Sequence, residues 1–179
     1  SLDHIRQIRI RHLHDAMHLD SVTIRNLELV KPAGRTDESS GQSSCTLLSV
    51  LDRTVTAMGC RLLREWLLRP LVTCPEIDAR LAAVDDLKHQ LDARVRLRSA
   101  LRSVQDISRL CSRMSLGVAN PRDVLALKLS LSSLPAIETA LAELHAPLLT
   151  DLVTSWDNAQ DLYECIEQAI AQEAPVSIR

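Results

Sequence analysis

The run TLLSVLDRTVTAMGCRLLREWLLRPL, residues 46–71, decides the fold class, because one stretch holds a turn, a helix start, an amphipathic helix and a proline stop. Thr56 is a good N-cap: its hydroxyl can accept from a backbone N–H that the first helical turn leaves without a partner. Met58, Leu62, Leu63, Trp66 and Leu67 recur at helical spacing and line one face, while Arg61, Arg64, Glu65 and Arg69 fall mostly elsewhere. That face has to bury against something. Pro70 ends the helix by removing a donor and pushing Arg69 toward extended geometry. Upstream, Leu47, Leu48 and Leu51 predict a short helical turn capped by Thr46, so that two apolar surfaces meet at the bend of residues 52–56.

The helical pattern continues on both sides. Asp20 is placed to cap a short helix that leads out at Leu29. Residues 73–76, TCPE, have the spacing of a capping box with proline in the first turn. Ile77, Leu81, Val84, Leu87 and Leu91 then predict an apolar stripe along one helix, and Leu97, Leu101, Val104, Ile107, Cys111 and Met114 carry a similar stripe to Gly117, a candidate left-handed terminator. Ser103 followed by Asp106 offers a restart midway. Asn120-Pro121 reads as cap and first helical position, with Asp123 suited to the positive end of the dipole and Val124, Leu127, Leu131 and Leu134 keeping an apolar face. Pro135 and Pro147 segment the next stretch into helices near residues 136–144 and 148–156, and Leu162, Ile166 and Ile170 define a last helix that Pro175 stops before an extended end.

Composition agrees with helices. The chain has 179 residues, 46% of them hydrophobic but only 2% aromatic and none of them Phe, so a core dominated by Leu suits helix packing better than a sheet. A net charge of −2 carries no global basic signature of the kind that announces nucleic-acid binding. The five cysteines, Cys45, Cys60, Cys74, Cys111 and Cys165, form no C-x-x-C pair, which argues against a zinc site and for a reducing compartment with buried or inert thiols. With no apolar run long enough to span a bilayer and no leader pattern, the expectation is a soluble, cytoplasmic chain. Residues 31–44, KPAGRTDESSGQSS, lack the apolar side chains to offset ordering and read as a mobile polar surface loop.

Few residues suggest chemistry. His14 and His18 lie four apart and on a helix could share a metal, but no third ligand is fixed by spacing, so a solvated polar approach to the first helix is the better reading. Arg94, Arg98, Arg102, Arg109 and Arg113 share one sector of about 100° if their helix is continuous. Such a ridge is either a phosphate-contacting face or a solvated one paired with carboxylates such as Glu65, Asp85 or Asp86; the second is favoured because no aromatic residues interleave to stack bases and a helix break would split the ridge. Trp66 and Trp156 read as core. No phosphate loop, nucleophile elbow or Cys–His pairing is present, so no catalytic, cofactor-binding or metal residue is assigned, and DNA-binding residues stay unassigned.

The run SVLDRTVTAMGCRLLREWLLRPL at 49–71 also carries a resemblance. It is similar to the opening of the core (lever) domain of MutS-type DNA mismatch-repair proteins, whose pattern runs LLxxLDxTxTxMGxRLLRxWLxxPL. Two further blocks keep the family's order, LDSVTIRNLEL at residues 19–29 and VQDISRLCSRMSLGVANPRDVLAL at 104–127. Departures are small: the family often has Pro where Ala57 stands and Glu where Ser108 stands. The resemblance implies an all-α, multi-helical core domain over residues 19–174, an approach segment at 1–18, and at 175–179 the start of a connection toward the clamp. It also implies that a returning helix of the same core comes later in the chain, so that part of the apolar surface goes uncovered, at about 1.5–3 kcal/mol of forfeited burial for each large side chain. For Arg109 and Arg113 it implies structural pairing within the core.

For function, the resemblance implies a non-catalytic lever that couples an ATPase domain to a DNA clamp in a bacterial-type mismatch-repair protein. ATP and Mg²⁺ then belong to the parent protein and not to this segment. The implied partners, all through the parent, are mismatched double-stranded DNA, a second copy as homodimer and a MutL-type repair protein, with no membrane and a cytoplasmic, nucleoid-associated setting. The reading that does not need DNA is a helical adaptor that binds amphipathic partner helices through its apolar stripes.

Overall fold

Ten helices account for nearly all regular structure in the computed structural model, which describes residues 16–32 and 45–170. Residues 1–15, 33–44 and 171–179 lie outside the described residues, and with them His14, most of the polar loop, most of the approach segment and the Pro175 stop. The helices are α1 (Ser21–Asn26), α2 (Leu47–Leu51), α3 (Ala57–Leu68), α4 (Cys74–His89), α5 (Leu91–Arg102), α6 (Ile107–Ser115), α7 (Pro121–Leu131), α8 (Leu134–Leu141), α9 (Pro147–Thr154) and α10 (Gln160–Ala169). The all-α expectation holds: among the described residues the one β feature is an isolated antiparallel bridge between Ala16 and Leu71. The chain divides into two compact units whose boundary falls inside α4, between Ile77 and Asp78.

In the first unit, residues 16–77, the helix starts follow the sequence closely. Asp20 caps α1 by accepting from Thr23 N at 2.6 Å, and Thr46 caps α2 in a reciprocal box with Ser49. A tertiary contact adds to that cap: the Glu28 and Leu29 carbonyls accept from Leu47 N at 3.0 Å and Leu48 N at 2.9 Å, satisfying donors that a helix start leaves open. Glu28 reaches this position with a positive φ of 47°. Thr56 caps α3 by accepting from Gly59 N at 3.0 Å. Arg69 closes α3 just before Pro70. The expected burial of α3 is only half met: Met58, Leu63 and Leu67 are half-buried, whereas Leu62 and Trp66 are exposed, Trp66 at 39%. Trp66 is therefore not a core residue of the described chain.

In the second unit, residues 78–170, α7 lies between α6 and α10, and α5 packs along α8, which in turn meets α9. Leu110, Leu127, Leu131 and Ile166 form the centre, flanked by Ile107, Met114, Val124, Leu134 and Tyr163. On α5 and α8 the buried positions include Ala93 and Ala140, small side chains that let two helices approach closely. The break anticipated between Ser103 and Asp106 is present. Asp106 caps α6 by accepting from Arg109 N, and the wholly buried Ser130 hydroxyl accepts from Gln105 N at 2.9 Å while donating to Ala126 O at 2.8 Å. At its other end α6 closes as a Schellman turn: Gly117, with φ of 68°, donates to Met114 O and Val118 N donates to Arg113 O.

Two expectations need correction. The stripe of Ile77, Leu81, Val84 and Leu91 is not buried; Leu81 is 60% and Val84 62% exposed, and Ala83 is the buried residue of α4. The apolar residues of α4 are spread around its circumference, so which side faces inward is set by its neighbours and not by its own pattern. Residues 121–141 also form a stretch long and apolar enough to cross a membrane, contrary to the reading of the bare sequence. In the fold, however, this stretch is bent into α7 and α8 at Ser132-Ser133, and Leu127, Leu131, Ile137 and Leu141 on it are buried in the helical core.

Leu127 and Leu129, two residues apart on α7, separate packing from propensity. Leu127 is 4% and Leu129 63% exposed, so urea denaturation is expected to show Leu127→Ala losing about 2–5 kcal/mol and Leu129→Ala changing by less than about 0.5 kcal/mol. Equal losses at the two positions would contradict the placement of α7.

Candidate functional site

No cluster of side chains with catalytic geometry occurs among the described residues; what stands out is the set of polar groups that tie one helix to another. Around residues 52–60 these contacts are local. Asp52 Oδ1 accepts from Thr54 N at 3.0 Å and from Thr54 Oγ1 at 2.6 Å, which holds its carboxyl below the usual range. The same carboxylate, through its interaction with the Cys60 thiol, raises the pKa of that thiol. Gly59 has a steric reason: a Cβ there would meet Thr56 Oγ1 at 3.0 Å and Thr54 Cβ at 3.4 Å. The Asp52–Thr54 and Thr56–Gly59 bonds, one after the other, shape the corner that starts α3.

In the second unit the ties span long stretches of sequence. Asp86 on α4 accepts with Oδ2 from His145 N at 2.6 Å and Ala146 N at 2.7 Å. Ala146, which precedes α9, has no side chain able to cap that helix, so a carboxylate some 60 positions away in sequence serves instead. The two N–H bonds, from Ala146 first and His145 second, lower the Asp86 pKa. Lys128 on α7 is buried, pairs with Glu167 of α10 and sits 5.8 Å over the Tyr163 ring. Trp156 donates to Asn158 at 2.9 Å, and Asn158 to Glu138 on α8 at 2.6 Å.

The five arginines of the expected ridge are divided by the break at residues 103–106, with Arg94, Arg98 and Arg102 on α5 and Arg109 and Arg113 on α6. Arg94 and Arg113 engage partners other than the three carboxylates named for the ridge. Arg94 donates to the Leu87 and Lys88 carbonyls at 3.2 and 3.4 Å, closing the end of α4. Arg113 pairs with Asp123 at 3.0 Å and donates to Val118 O, which ties α6 to the start of α7 and fits the structural pairing that the resemblance implies for it. Arg102 and Arg109 are exposed. Of the carboxylates named as partners, Asp86 is engaged by backbone N–H groups, and Asp85 lies 3.4 Å from His89. Sequence reasoning assigned Asp86 to the arginine ridge and not to the backbone N–H groups it binds, and it missed Lys128 and Ser130; a Lys inside the apolar run 124–134 was the one available signal.

His18 is exposed, and its partner in the metal idea, His14, lies outside the described residues. All five cysteines are free, and four are exposed, with Cys60 half-buried, so the expectation of buried or inert thiols is corrected as to burial.

Comparison with known proteins gives this geometry a context. The family model for MutS domain III matches residues 22–179. The chain is 44% identical over 178 residues to the DNA mismatch repair protein MutS of Symbiobacterium thermophilum, 42% identical over 179 residues to that of Pelotomaculum thermopropionicum and 40% identical over 182 residues to that of Methanosarcina barkeri. Each match covers 99% of this chain and 20% of the relative, so the chain spans about a fifth of the length of the relatives it matches. With three sequence blocks in register, an all-helical fold and matches along almost its whole length, the chain belongs to the MutS family, of which it carries the domain III segment.

Proposed function

We propose that this segment is the mechanical core of a DNA mismatch-repair protein, a set of helices that passes displacement between an ATPase domain and a DNA clamp. The observation that carries this reading is the Asp86 clasp, in which one carboxylate on α4 fixes the entry to α9 through two backbone N–H groups. Coupling between distant sites needs elements that keep their internal geometry while their surroundings change. Direct backbone-to-carboxylate bonds meet that need better than apolar packing alone, because they fix direction as well as distance. The pairings Lys128–Glu167 and Arg113–Asp123 add the same restraint to α10 and α6.

The residues of this chain contribute position and not chemistry. They contain no phosphate-loop run, so the ATP and Mg²⁺ that the family implies are held by none of them. Mismatched duplex DNA, a homodimer of the parent, a MutL-type partner and a cytoplasmic, nucleoid-associated setting belong to the same proposal.

Two measurements test it. A labelled duplex with and without a mismatch, titrated with this chain at low and moderate salt, is expected to show no binding or weak, salt-sensitive binding blind to the mismatch. Tight mismatch-selective binding would overturn the lever reading. Asp86→Asn keeps the shape and removes the charge, which makes it a mimic of the protonated acid. Because the folded-state pKa of Asp86 is depressed, its contribution is present above the unfolded carboxylate value of about 3.9 and is lost as pH falls through the lower folded value. Urea midpoints are therefore expected to favour the unsubstituted chain at pH 7 and to converge with the variant in strongly acidic buffer; a gap that is constant with pH would refute the clasp.

A further inference from the structure

We propose that the cleft between α1, residues 30–32 and α3 docks a peptide segment of a partner protein that carries both acidic and apolar side chains. The cleft has a volume of about 450 Å³. Its walls are apolar: Ile24 from α1, Val30 and Pro32 from the segment after α1, and Leu68 from α3, all half-buried. Three cations, Arg25, Lys31 and Arg64, stand on the same cleft, and among the described residues no carboxylate lines it. Each of the three is exposed, and among the described residues none of them forms an ion pair. Arg64 and Leu68 also line a second hollow of about 300 Å³ along α3, together with Arg61, Glu65 and Arg69.

Charge and surface together select the occupant. Three like charges gathered around an apolar hollow repel one another, and the arrangement is relieved by an anionic ligand. A free phosphate or a nucleic-acid backbone supplies the charge but has nothing apolar to place against Ile24, Val30, Pro32 and Leu68. No aromatic side chain lines the cleft, so it offers no platform for stacking bases. The residues after Pro32, AGRTDESSGQSS at 33–44, contain Asp37 and Glu38 but only Ala33 as an apolar side chain, and so they bring charge without a filling for the hollow. A partner peptide in which Asp or Glu alternates with Leu, Ile or Val supplies both: carboxylates for Arg25, Lys31 and Arg64, and apolar groups for the walls.

The test uses the 179-residue chain and a fluorescent peptide alternating glutamate and leucine, read by anisotropy, with helical content of every variant checked by circular dichroism. Binding is expected to weaken as salt rises from ~50 to ~300 mM. Arg64→Glu and Arg25→Glu are each expected to weaken it about tenfold or more, and Arg122→Glu, an exposed arginine on α7, is expected to leave it unchanged. Two charge reversals are read independently, so that loss of fold in one leaves the other to decide. The proposal is overturned if a glutamine–leucine peptide or oligoglutamate binds as tightly, if neither reversal has an effect, or if short duplex DNA displaces the peptide at equal concentration, which would make the cleft a phosphate-binding surface.

Discussion

A chain cut into helices of five to sixteen residues has many ends, and each end exposes backbone groups that need partners. That requirement organises this molecule more visibly than the filling of its core does. Side chains next in sequence close some ends, as Thr56 does for α3 and Asn120 with Asp123 for α7. Others are closed from far away, by Asp86 at the start of α9, by Ser130 at the break before α6 and by the Glu28 and Leu29 carbonyls at the start of α2. Each long-range closure does two things at once. It removes an unsatisfied donor and fixes the position of one element on another.

Charged side chains follow the same logic. Arginines that a helical-wheel argument gathers into one ridge are instead used singly, Arg94 on the carbonyl end of α4 and Arg113 on the carboxylate that caps α7. A positive group at a helix C-terminus and a carboxylate at an N-terminus each complement the helix dipole, so these pairings are favourable whatever the rest of the protein does. Lys128 is the unusual one. Its stem lies in the core, and its ammonium meets the Glu167 carboxylate and the Tyr163 ring, so a charge is tolerated there because it is paired.

The two units differ in how completely they bury their apolar residues. In residues 78–170 the core is continuous from α6 and α7 to α10, with a second buried run along α8 and α9. In residues 16–77, α1, α2 and α3 each contain no fully buried residue, and Leu62 and Trp66 on α3 stay exposed.

The sequence by itself determined the helical class, the family and most helix starts and stops, though not the end of α4 at His89, since the apolar spacing runs on along the same helix to Leu91, which begins α5. Caps and stops are local: Asp20, Thr46, Thr56, Asp106, Asn120, Pro70 and Gly117 each act within a few residues of where they stand, so spacing alone exposes them. Only the tertiary structure decided which apolar stripes are covered and which polar groups bind helices together. The stripe of Leu81 and Val84 reads like that of Leu127 and Leu131, yet the first is exposed and the second buried. Periodicity tells which residues share a face, and burial depends on whether another element lies against it. Asp86 shows the same limit for polar groups. Nothing near it in sequence distinguishes it from Asp85, and its two donors lie 59 and 60 residues away, brought within hydrogen-bonding distance only when the chain folds.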